Sequence, residues 1–409
     1  MALTCTDVIQ RLVDSLAARI RHSVAVDDER GRLIACSRHY GDEDELRIDV
    51  VLSRQLPAPA AEYLNSFGIA TADAPRSIPA HPSLGLKERR CHPIRDHGQL
   101  LGYLWLIGTH TDRLDETVSD CVTQLSAPLR ERSLQASEEE QRHRALATAL
   151  LTRGEASARA AHDLIDQGLL GPHDEIAVIA TGATTDPRTL AAVITDTTTR
   201  GSDEPPARAL PATVDGRGAV LLTGREGVER AAAWWAQEIR RRVRQRNAED
   251  DGVVVGVSNT GRLDQAPDLL RQAVLAAFAA AELPEFPPVL PWRDTGVYGP
   301  LMLTAITSPE LAVPPQIAEL GAGTRTDSLA RTAEVFLDTA GDTTAASEQL
   351  NIHRTTLYYR LARIENRTGW NLKNGHDRLT LHLGLKMQHL LNSNIPALLQ
   401  GEEKRRESS

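Results

Sequence analysis

Apolar residues in the first part of the chain follow a helical spacing and then a strand-like one. Val8, Leu12, Leu16 and Ile20 recur every fourth position, which places them on one face of a helix. Two hairpins are predicted next, since each has two short apolar runs separated by polar residues and glycine. Their sequences are SVAVDDERGRLIACS, with the turn at Asp-Asp-Glu-Arg-Gly, and CHPIRDHGQLLGYLWLIG, with the turn at Asp96–Gly98. The pattern predicts an α+β module.

A long polar helix is predicted after this module, from about Asp115 to Gly154. Its charges are dense, as in the run EEEQRHR that begins at Glu138. A charged helix between two domains is typical of a connector that forms a dimer or carries a signal. A plain solvated spacer is an equal alternative.

Strand-like and helical patterns alternate between about residues 155 and 300. The apolar runs EIAVIATG and AVLLTG end in glycine, and each is followed by a helical pattern. Such alternation predicts an α/β layer. The stretch LPEFPPVLPW then closes the region as a boundary or an edge strand, because its prolines cannot lie inside a helix.

The last region, about 300–395, has only helical patterns and contains two helices separated by a tight turn. The first covers roughly Thr343–Leu350, Asn351 and Ile352 form the turn, and His353 opens the second. Three apolar residues of the second helix face the core: Leu357, Leu361 and Ile364. Helical phasing leaves a polar and aromatic set on or beside the opposite face: Thr355, Tyr358, Tyr359, Ala362, Arg363 and Asn366. This is what a helix-turn-helix DNA reader requires, and a helical hairpin with solvated arginines is the alternative.

Local charge agrees with DNA binding although the whole chain is acidic. The 409 residues include 46 Lys+Arg and 55 Asp+Glu, a formal net charge of −9, which argues against a protein coated in basic charge. Between residues 352 and 378, however, six basic residues and two acidic ones give a net charge of +4. The basic residues are Arg354, Arg360, Arg363, Arg367, Lys373 and Arg378. A local basic patch is enough for binding, because each cation that contacts a phosphate releases counterions.

The stretch from SLARTAEVF to LTLHLGL resembles the C-terminal helix-turn-helix of the PucR/CdaR family of bacterial transcription regulators. The matching positions are Leu329, Thr332, Ala345, Ala346, Leu350, His353, Arg354, Thr356, Leu357, Tyr359, Arg360, Leu361, Ile364, Glu365 and Gly369. The resemblance implies a DNA-binding regulator. Thr355 stands where the family usually has Asn, which can make a bidentate contact with adenine. If this position faces a base, the preferred operator differs; if it caps the helix, little changes.

Two further resemblances concern the rest of the chain. The middle region is similar to the degenerate GGDEF-like module of the same family, through VVVGVSNTGRLDQAPDLLRQAVLAAFAA and PWRDTGVYGPLML. The GGDEF signature itself is missing, and no paired carboxylates follow that could hold metal ions and a triphosphate. The first region resembles a GAF-like sensor domain, through VAVDDERGRLIACS and CHPIRDHGQLLGYLWL.

Chemistry-bearing motifs of enzymes are missing from the sequence. The four cysteines (Cys5, Cys36, Cys91 and Cys121) lack zinc-type spacing, and there is no GxSxG elbow or P-loop. We therefore expect no enzymatic activity, no cofactor and no metal. Asp7 and Asp14 interrupt the N-terminal apolar stretch, and no apolar run approaches the ~20 residues of a membrane-spanning helix. These observations predict a cytoplasmic protein with reduced thiols and no membrane contact.

The sequence predicts a multidomain α+β protein. The expected parts are a GAF-like sensor domain (1–130), a helical connector (131–154), a degenerate GGDEF-like α/β domain (155–298), an all-α helix-turn-helix DNA-binding domain (299–395) and a polar tail (396–409).

The predicted function is that of a transcription regulator that binds double-stranded operator DNA through its helix-turn-helix. We expect a homodimer or higher homo-oligomer, controlled by a small-molecule effector or a protein partner at the N-terminal domain. The ligand-binding residues stay unknown. The predicted DNA-binding residues are Arg354, Thr355, Thr356, Tyr358, Tyr359, Arg360 and Arg363. For Tyr359 and Arg360, which belong to the family pattern, a scaffolding role is an equal alternative. The alternative function is a non-enzymatic signalling scaffold whose terminal helices serve oligomerisation.

Overall fold

A computed structural model of the chain describes residues 4–42, 44–53, 56–108, 113–182, 185–199, 207–246, 252–307, 313–320 and 329–393. The predicted polar tail at 396–409 lies outside the described residues. The chain divides into two compact units. The first comprises Met1–Ile179, Ala183–Asp251 and Thr260–Leu269, and the second comprises Ala180–Gly182, Gly252–Asn259 and Leu270–Ser409.

The N-terminal region contains an antiparallel sheet. Its strands are β1 (Val24–Asp28), β2 (Leu33–Cys36), β3 (Arg76–Ile78), β4 (Arg89–Asp96) and β5 (Gln99–Ile107), in the order β2-β1-β5-β4-β3. Both predicted hairpins are confirmed, since β1 pairs with β2 and β4 pairs with β5. The pairing of β1 with β5 joins them, and Gly102 permits their close approach. A Cβ at Gly102 would lie 2.2 Å from the carbonyl oxygen of Asp27.

The predicted turn of the first hairpin is wrong at two residues. Asp27 and Asp28 were expected in the turn, but both belong to β1, and each is only 8% exposed. The pairing of β1 with β5 continues through these residues, with Asp27 opposite Tyr103 and Asp28 opposite Gly102. A long-range strand pairing therefore overrides the local turn preference of aspartate.

Helices cover both faces of this sheet. They are α1 (Cys5–Ile20), α2 (Glu45–Ser53), α3 (Ala58–Asn65) and the start of α4 (Arg113–Leu151). One apolar core joins α1 and α4 to one face, with members such as Val13, Leu104 and Leu125. The other face packs against α2 and α3 through residues such as Leu46 and Leu64. The sheet is therefore the middle layer of this region.

The next region alternates strands and helices, as the sequence predicts. Its elements are α5 (Glu155–Asp166), β6 (Glu175–Thr181), α6 (Pro187–Thr199), β7 (Arg208–Val214), β8 (Arg217–Gly224), α7 (Val228–Arg246), β9 (Val255–Val257), α8 (Ala266–Glu282) and β10 (Val289–Pro291). The strands form a second sheet in the order β10-β9-β6-β8-β7. The proline-rich stretch supplies β10 at the edge of this sheet, where a strand tolerates proline.

The predicted charged helix is α4, a single helix of 39 residues. Its first half belongs to the N-terminal core. Near its end Ala147, Leu150 and Leu151 are buried, and the helix packs against α5 and β7. Along its exposed middle, the Glu140 carboxylate accepts a hydrogen bond from the Thr195 hydroxyl in α6 at 2.9 Å. The same carboxylate lies 3.7 Å from the Arg30 guanidinium in the first hairpin. α4 therefore contacts both regions of the first unit.

Helices make up the C-terminal region. They are α9 (Tyr298–Thr307), α10 (Pro315–Leu320), α11 (Leu329–Asp338), α12 (Thr343–Leu350), α13 (Arg354–Thr368) and α14 (Gly375–Asn392). A buried apolar cluster joins α10 to α14: Ile317, Phe336, Ala346, Leu357, Leu361, Ile364 and Leu381 are among its members. The structure thus confirms a mixed α/β protein with a helical C-terminal region. In the part of the chain that the structure describes, no helix has the length and apolar character needed to cross a membrane.

Candidate nucleic-acid interface

The first helix of the helix-turn-helix, α12, has a charged N-cap. The Asp342 carboxylate accepts the backbone N–H groups of Thr344 at 2.8 Å and Ala345 at 3.2 Å. These two hydrogen bonds lower the pKa of Asp342, and the nearby Arg354 guanidinium adds a smaller effect in the same direction. Asp342 is therefore ionised near neutral pH and holds the start of α12.

The turn between α12 and α13 consists of the C-cap of α12, Asn351, and the N-cap of α13, His353, with Ile352 between them. Asn351 ends α12 in the left-handed conformation (φ 53°, ψ 47°), which asparagine tolerates. The N–H of Ile352 then donates to the carbonyl of Ser347 at 3.0 Å. His353 is extended, and its Nδ1 accepts the N–H of Thr355 at 3.3 Å. The predicted helix boundaries and the turn are thus confirmed.

The two faces of α13 differ sharply in exposure. Leu357, Leu361 and Ile364 are at most 8% exposed and belong to the core, as predicted. The predicted opposite face is exposed along its length: Thr355, Tyr358, Tyr359, Ala362, Arg363 and Asn366. Tyr358 is 57% exposed and Tyr359 is 64% exposed. Exposed aromatic rings on a rigid helix are typical of a surface that binds a partner.

Six of the seven predicted DNA-binding residues are exposed on α13: Arg354, Thr355, Thr356, Tyr358, Tyr359 and Arg363. The Arg363 guanidinium lies 5.8 Å from the ring centroid of Tyr359, within the range of a cation–π contact. The Thr355 hydroxyl lies 3.0 Å from Nδ1 of His353, so it belongs to the cap of the helix. The Arg354 guanidinium donates to the hydroxyl of Thr344 in α12.

Arg360 differs from the other six residues. It is half-buried, and its guanidinium lies 3.4 Å from the Oγ1 of Thr332 in α11. Thr332 is completely buried. The contact therefore links α13 to α11 within the bundle. Sequence reasoning missed Thr332 and Thr344 as partners of these arginines, and also His353 as a side-chain cap.

The basic patch is divided between exposed and half-buried side chains. Four of its residues are exposed: Arg354, Arg363, Arg367 and Lys373. Arg378 instead packs over the Phe336 ring at 5.8 Å. Both acidic residues serve the loop between α13 and α14, because Glu365 and Asp377 each accept a backbone N–H there at 2.8 Å. The exposed charge of this loop and helix is therefore mainly positive.

The rest of the described chain offers little reactive chemistry. Among the described residues, no group of three or more His, Cys, Asp or Glu side chains could hold a metal ion. The four cysteines are free. Burial raises the pKa of Cys121 to about 11 and also raises the pKa of Cys91. Both of these thiols are therefore protonated at neutral pH, the less reactive form.

Comparisons with known proteins agree with this geometry. Residues 329–387 match the PucR C-terminal helix-turn-helix domain. The chain is also 22% identical over 409 residues to the DNA-binding transcriptional activator AdeR of Bacillus subtilis (strain 168), with 94% of each chain covered. The protein is a DNA-binding transcription regulator. Its helix-turn-helix, over residues 329–387, is of the PucR type.

Two solved structures align with large parts of the chain. The Regulator of Polyketide Synthase Expression from Bifidobacterium adolescentis is 18% identical, with 61% of this chain and 98% of that chain covered and a TM-score of 0.27. PelD from Pseudomonas aeruginosa PA14 is 14% identical, with 67% and 86% covered and a TM-score of 0.16.

Proposed function

We propose that the protein binds operator DNA by placing α13 in the major groove of double-stranded DNA. The residues nearest the base edges are Thr355, Thr356, Tyr358 and Tyr359, in the N-terminal half of the helix, where helix-turn-helix proteins read bases. Arg354 and Arg363 contact phosphates or a guanine edge. The observation that carries this proposal is the pair of exposed tyrosines beside Arg363, on a helix whose other face is buried.

We assign Arg360 a structural role and not a contact with DNA. Its half-buried guanidinium and its contact with Thr332 favour the scaffolding alternative, in which Arg360 fixes α13 against α11. For Thr355, the hydrogen-bond distance to His353 favours a capping role. The replacement of the family's usual Asn at this position is then compatible with an unchanged operator preference.

We further propose a homodimer or higher homo-oligomer that presents two α13 helices to half-sites one helical turn apart, about 34 Å, or a multiple of that distance. The domain limits stay as the sequence suggests: 1–130, 131–154, 155–298 and 299–395. The five-stranded antiparallel sheet between two helical layers supports a GAF-like sensor in the first of these. A small molecule or protein partner bound there would control the regulator only through different affinities for DNA-competent and incompetent states.

The proposal is tested by offering the purified full-length protein two duplex probes at two salt concentrations. One is the region upstream of its own gene, and the other is selected by the protein from a random-sequence duplex library. We expect selective binding against scrambled competitor, with an affinity that falls steeply as salt rises. If the folded protein selects no sequence, or binds without salt dependence, the proposal is wrong and the signalling scaffold is favoured. Arg159→Ala, an exposed change on α5, serves as the control variant.

A further inference from the structure

Two hydrogen bonds of Thr344 link Asp342 to Arg354 across the turn of the helix-turn-helix, one through its backbone N–H and one through its side-chain hydroxyl. Asp342, before α12, accepts the backbone N–H of Thr344. The hydroxyl of Thr344 in turn accepts a hydrogen bond from Nη2 of Arg354, the first residue of α13. The contact spans ten positions of sequence and joins the two helices that the turn separates. The guanidinium of Arg354 is thus held by the helix before the turn.

The charges of Asp342 and Arg354 fix the direction of the two hydrogen bonds at Thr344. The backbone N–H groups of Thr344 and Ala345 contribute most to the lowered pKa of Asp342, and the Thr344 hydroxyl and the Arg354 charge contribute after them. A threonine hydroxyl has one proton to donate and lone pairs to accept with. It therefore accepts from the guanidinium, which has only donors, while the carboxylate of Asp342 accepts the backbone N–H of Thr344.

The hydrogen bond from Arg354 to Thr344 affects DNA binding because Arg354 is exposed and its side chain would otherwise be mobile. A free arginine side chain loses about 2 kcal/mol of rotamer entropy when a ligand immobilises it. Fixing it before binding removes part of that cost from the association. A guanidinium has five N–H donors, so one bond to Thr344 leaves donors for a phosphate or for the acceptor edge of guanine.

We propose that Thr344 is a positioning residue for DNA binding, whose hydroxyl holds the Arg354 guanidinium in the orientation that contacts DNA. This inference rests on the proposed function, in which Arg354 is a DNA contact. Thr344 itself need not touch the nucleic acid.

A double-mutant cycle with the full-length protein tests the inference. The probe is the duplex that the wild-type protein selects from a random-sequence library. We expect Thr344→Val to lower the affinity for this duplex about 3- to 10-fold, the value of one hydrogen bond. Thr344→Ser, which keeps the hydroxyl, should restore the affinity to within about 2-fold of wild type. In an Arg354→Ala background, Thr344→Val should cause no further loss.

The background dependence separates positioning from a general effect on α12. An equal loss of affinity with and without Arg354 would overturn the inference, as would no loss at all in Thr344→Val. Thr343→Val is the matched control, one residue earlier in the same helix, and should bind as wild type does. Thermal unfolding of each variant verifies folding, and Thr344→Ala replaces Thr344→Val if the valine variant does not fold. Failure of the wild-type protein to select any duplex would instead contradict the proposed function.

Discussion

Two regions of the molecule reverse the usual distribution of side chains, in opposite directions. Near the N-terminal sheet, several aspartate and arginine residues of the described chain are buried, each at most 8% exposed: Asp27, Asp28, Asp44, Arg47 and Arg89. On α13, Tyr358 and Tyr359 are more than half exposed. Folded proteins normally expose charges and bury aromatic rings, so each reversal needs its own physical reason.

The buried carboxylate of Asp44 is satisfied within the protein. Arg89 donates to the carboxylate of Asp44, which also accepts the N–H of Arg47 at 2.9 Å and the N–H of Lys87 at 2.8 Å. For Asp27, burial raises the pKa to about 7, so its carboxyl is largely protonated below neutral pH. The ionised and protonated groups near the sheet contribute to the stability of the folded state, whereas the tyrosines of α13 expose their rings to solvent. Changes in the first region should therefore alter stability, and changes on the exposed face of α13 should alter DNA binding.

The largest expected effect is on the buried ion pair. Arg89→Leu leaves the carboxylate of Asp44 buried without its guanidinium, so we expect the free energy of unfolding to fall by about 3–5 kcal/mol. Urea unfolding measures this loss. The control is Arg159→Leu, which breaks an exposed pair with Glu155 and should cost less than about 0.5 kcal/mol. Similar losses in the two variants would contradict the expectation that the buried ion pair contributes more to the free energy of unfolding than the exposed pair.

The two faces of α13 give the next test. Leu357→Ala creates a cavity in the core and should lower the free energy of unfolding by about 2–5 kcal/mol. Tyr359→Ala should change it by less than about 0.5 kcal/mol, yet lower the affinity for the selected duplex roughly tenfold. Urea unfolding and fluorescence anisotropy measure the two quantities. A Tyr359→Ala protein that binds DNA normally would exclude this ring from the interface.

Because of Asp27, the stability of the N-terminal region depends on pH. Its ordinary pKa is 3.8 and its folded pKa is about 7, so the folded state holds the proton more tightly than the unfolded state. The resulting stabilisation is complete below about pH 4 and is lost as pH rises through 7. Asp27→Asn should flatten this slope and be more stable than wild type at pH 8, by about 1–3 kcal/mol. Parallel stability–pH curves for the two proteins would show that Asp27 does not titrate in this range.

The smallest effects distinguish two arginines of the same helix. Arg363→Ala should reduce the slope of log affinity against log salt by about one, with stability unchanged within about 0.5 kcal/mol. Arg360→Ala should leave that slope unchanged and cost about 1 kcal/mol of stability, because it loses the contact with Thr332. Binding titrations at several salt concentrations measure the slope, and urea unfolding measures the stability. If Arg360→Ala reduces the slope, Arg360 contacts phosphate and the scaffolding role is wrong.

Local sequence patterns predicted the hairpins and the helix-turn-helix because their causes are local. Asn351 tolerates the left-handed turn, and the spacing of Leu357, Leu361 and Ile364 fixes the buried face of α13. The missed features depend on residues distant in sequence. Thr332 lies 28 positions before Arg360, and no periodicity links them. The burial of Asp27 likewise follows from its pairing opposite Tyr103 in β5, which the run VAVDD does not reveal.

The continuity of α4 restricts how the length of this protein can change. A helix of 39 residues extends about 58 Å, and each residue advances the helix by about 100°. Deleting one residue from its exposed middle would turn one buried stripe by about 100° relative to the other, so the two ends could no longer fit both cores. Removing or adding seven residues alters the phase by only about 20°. Related chains that keep both cores are therefore expected to differ in length within this helix by seven residues.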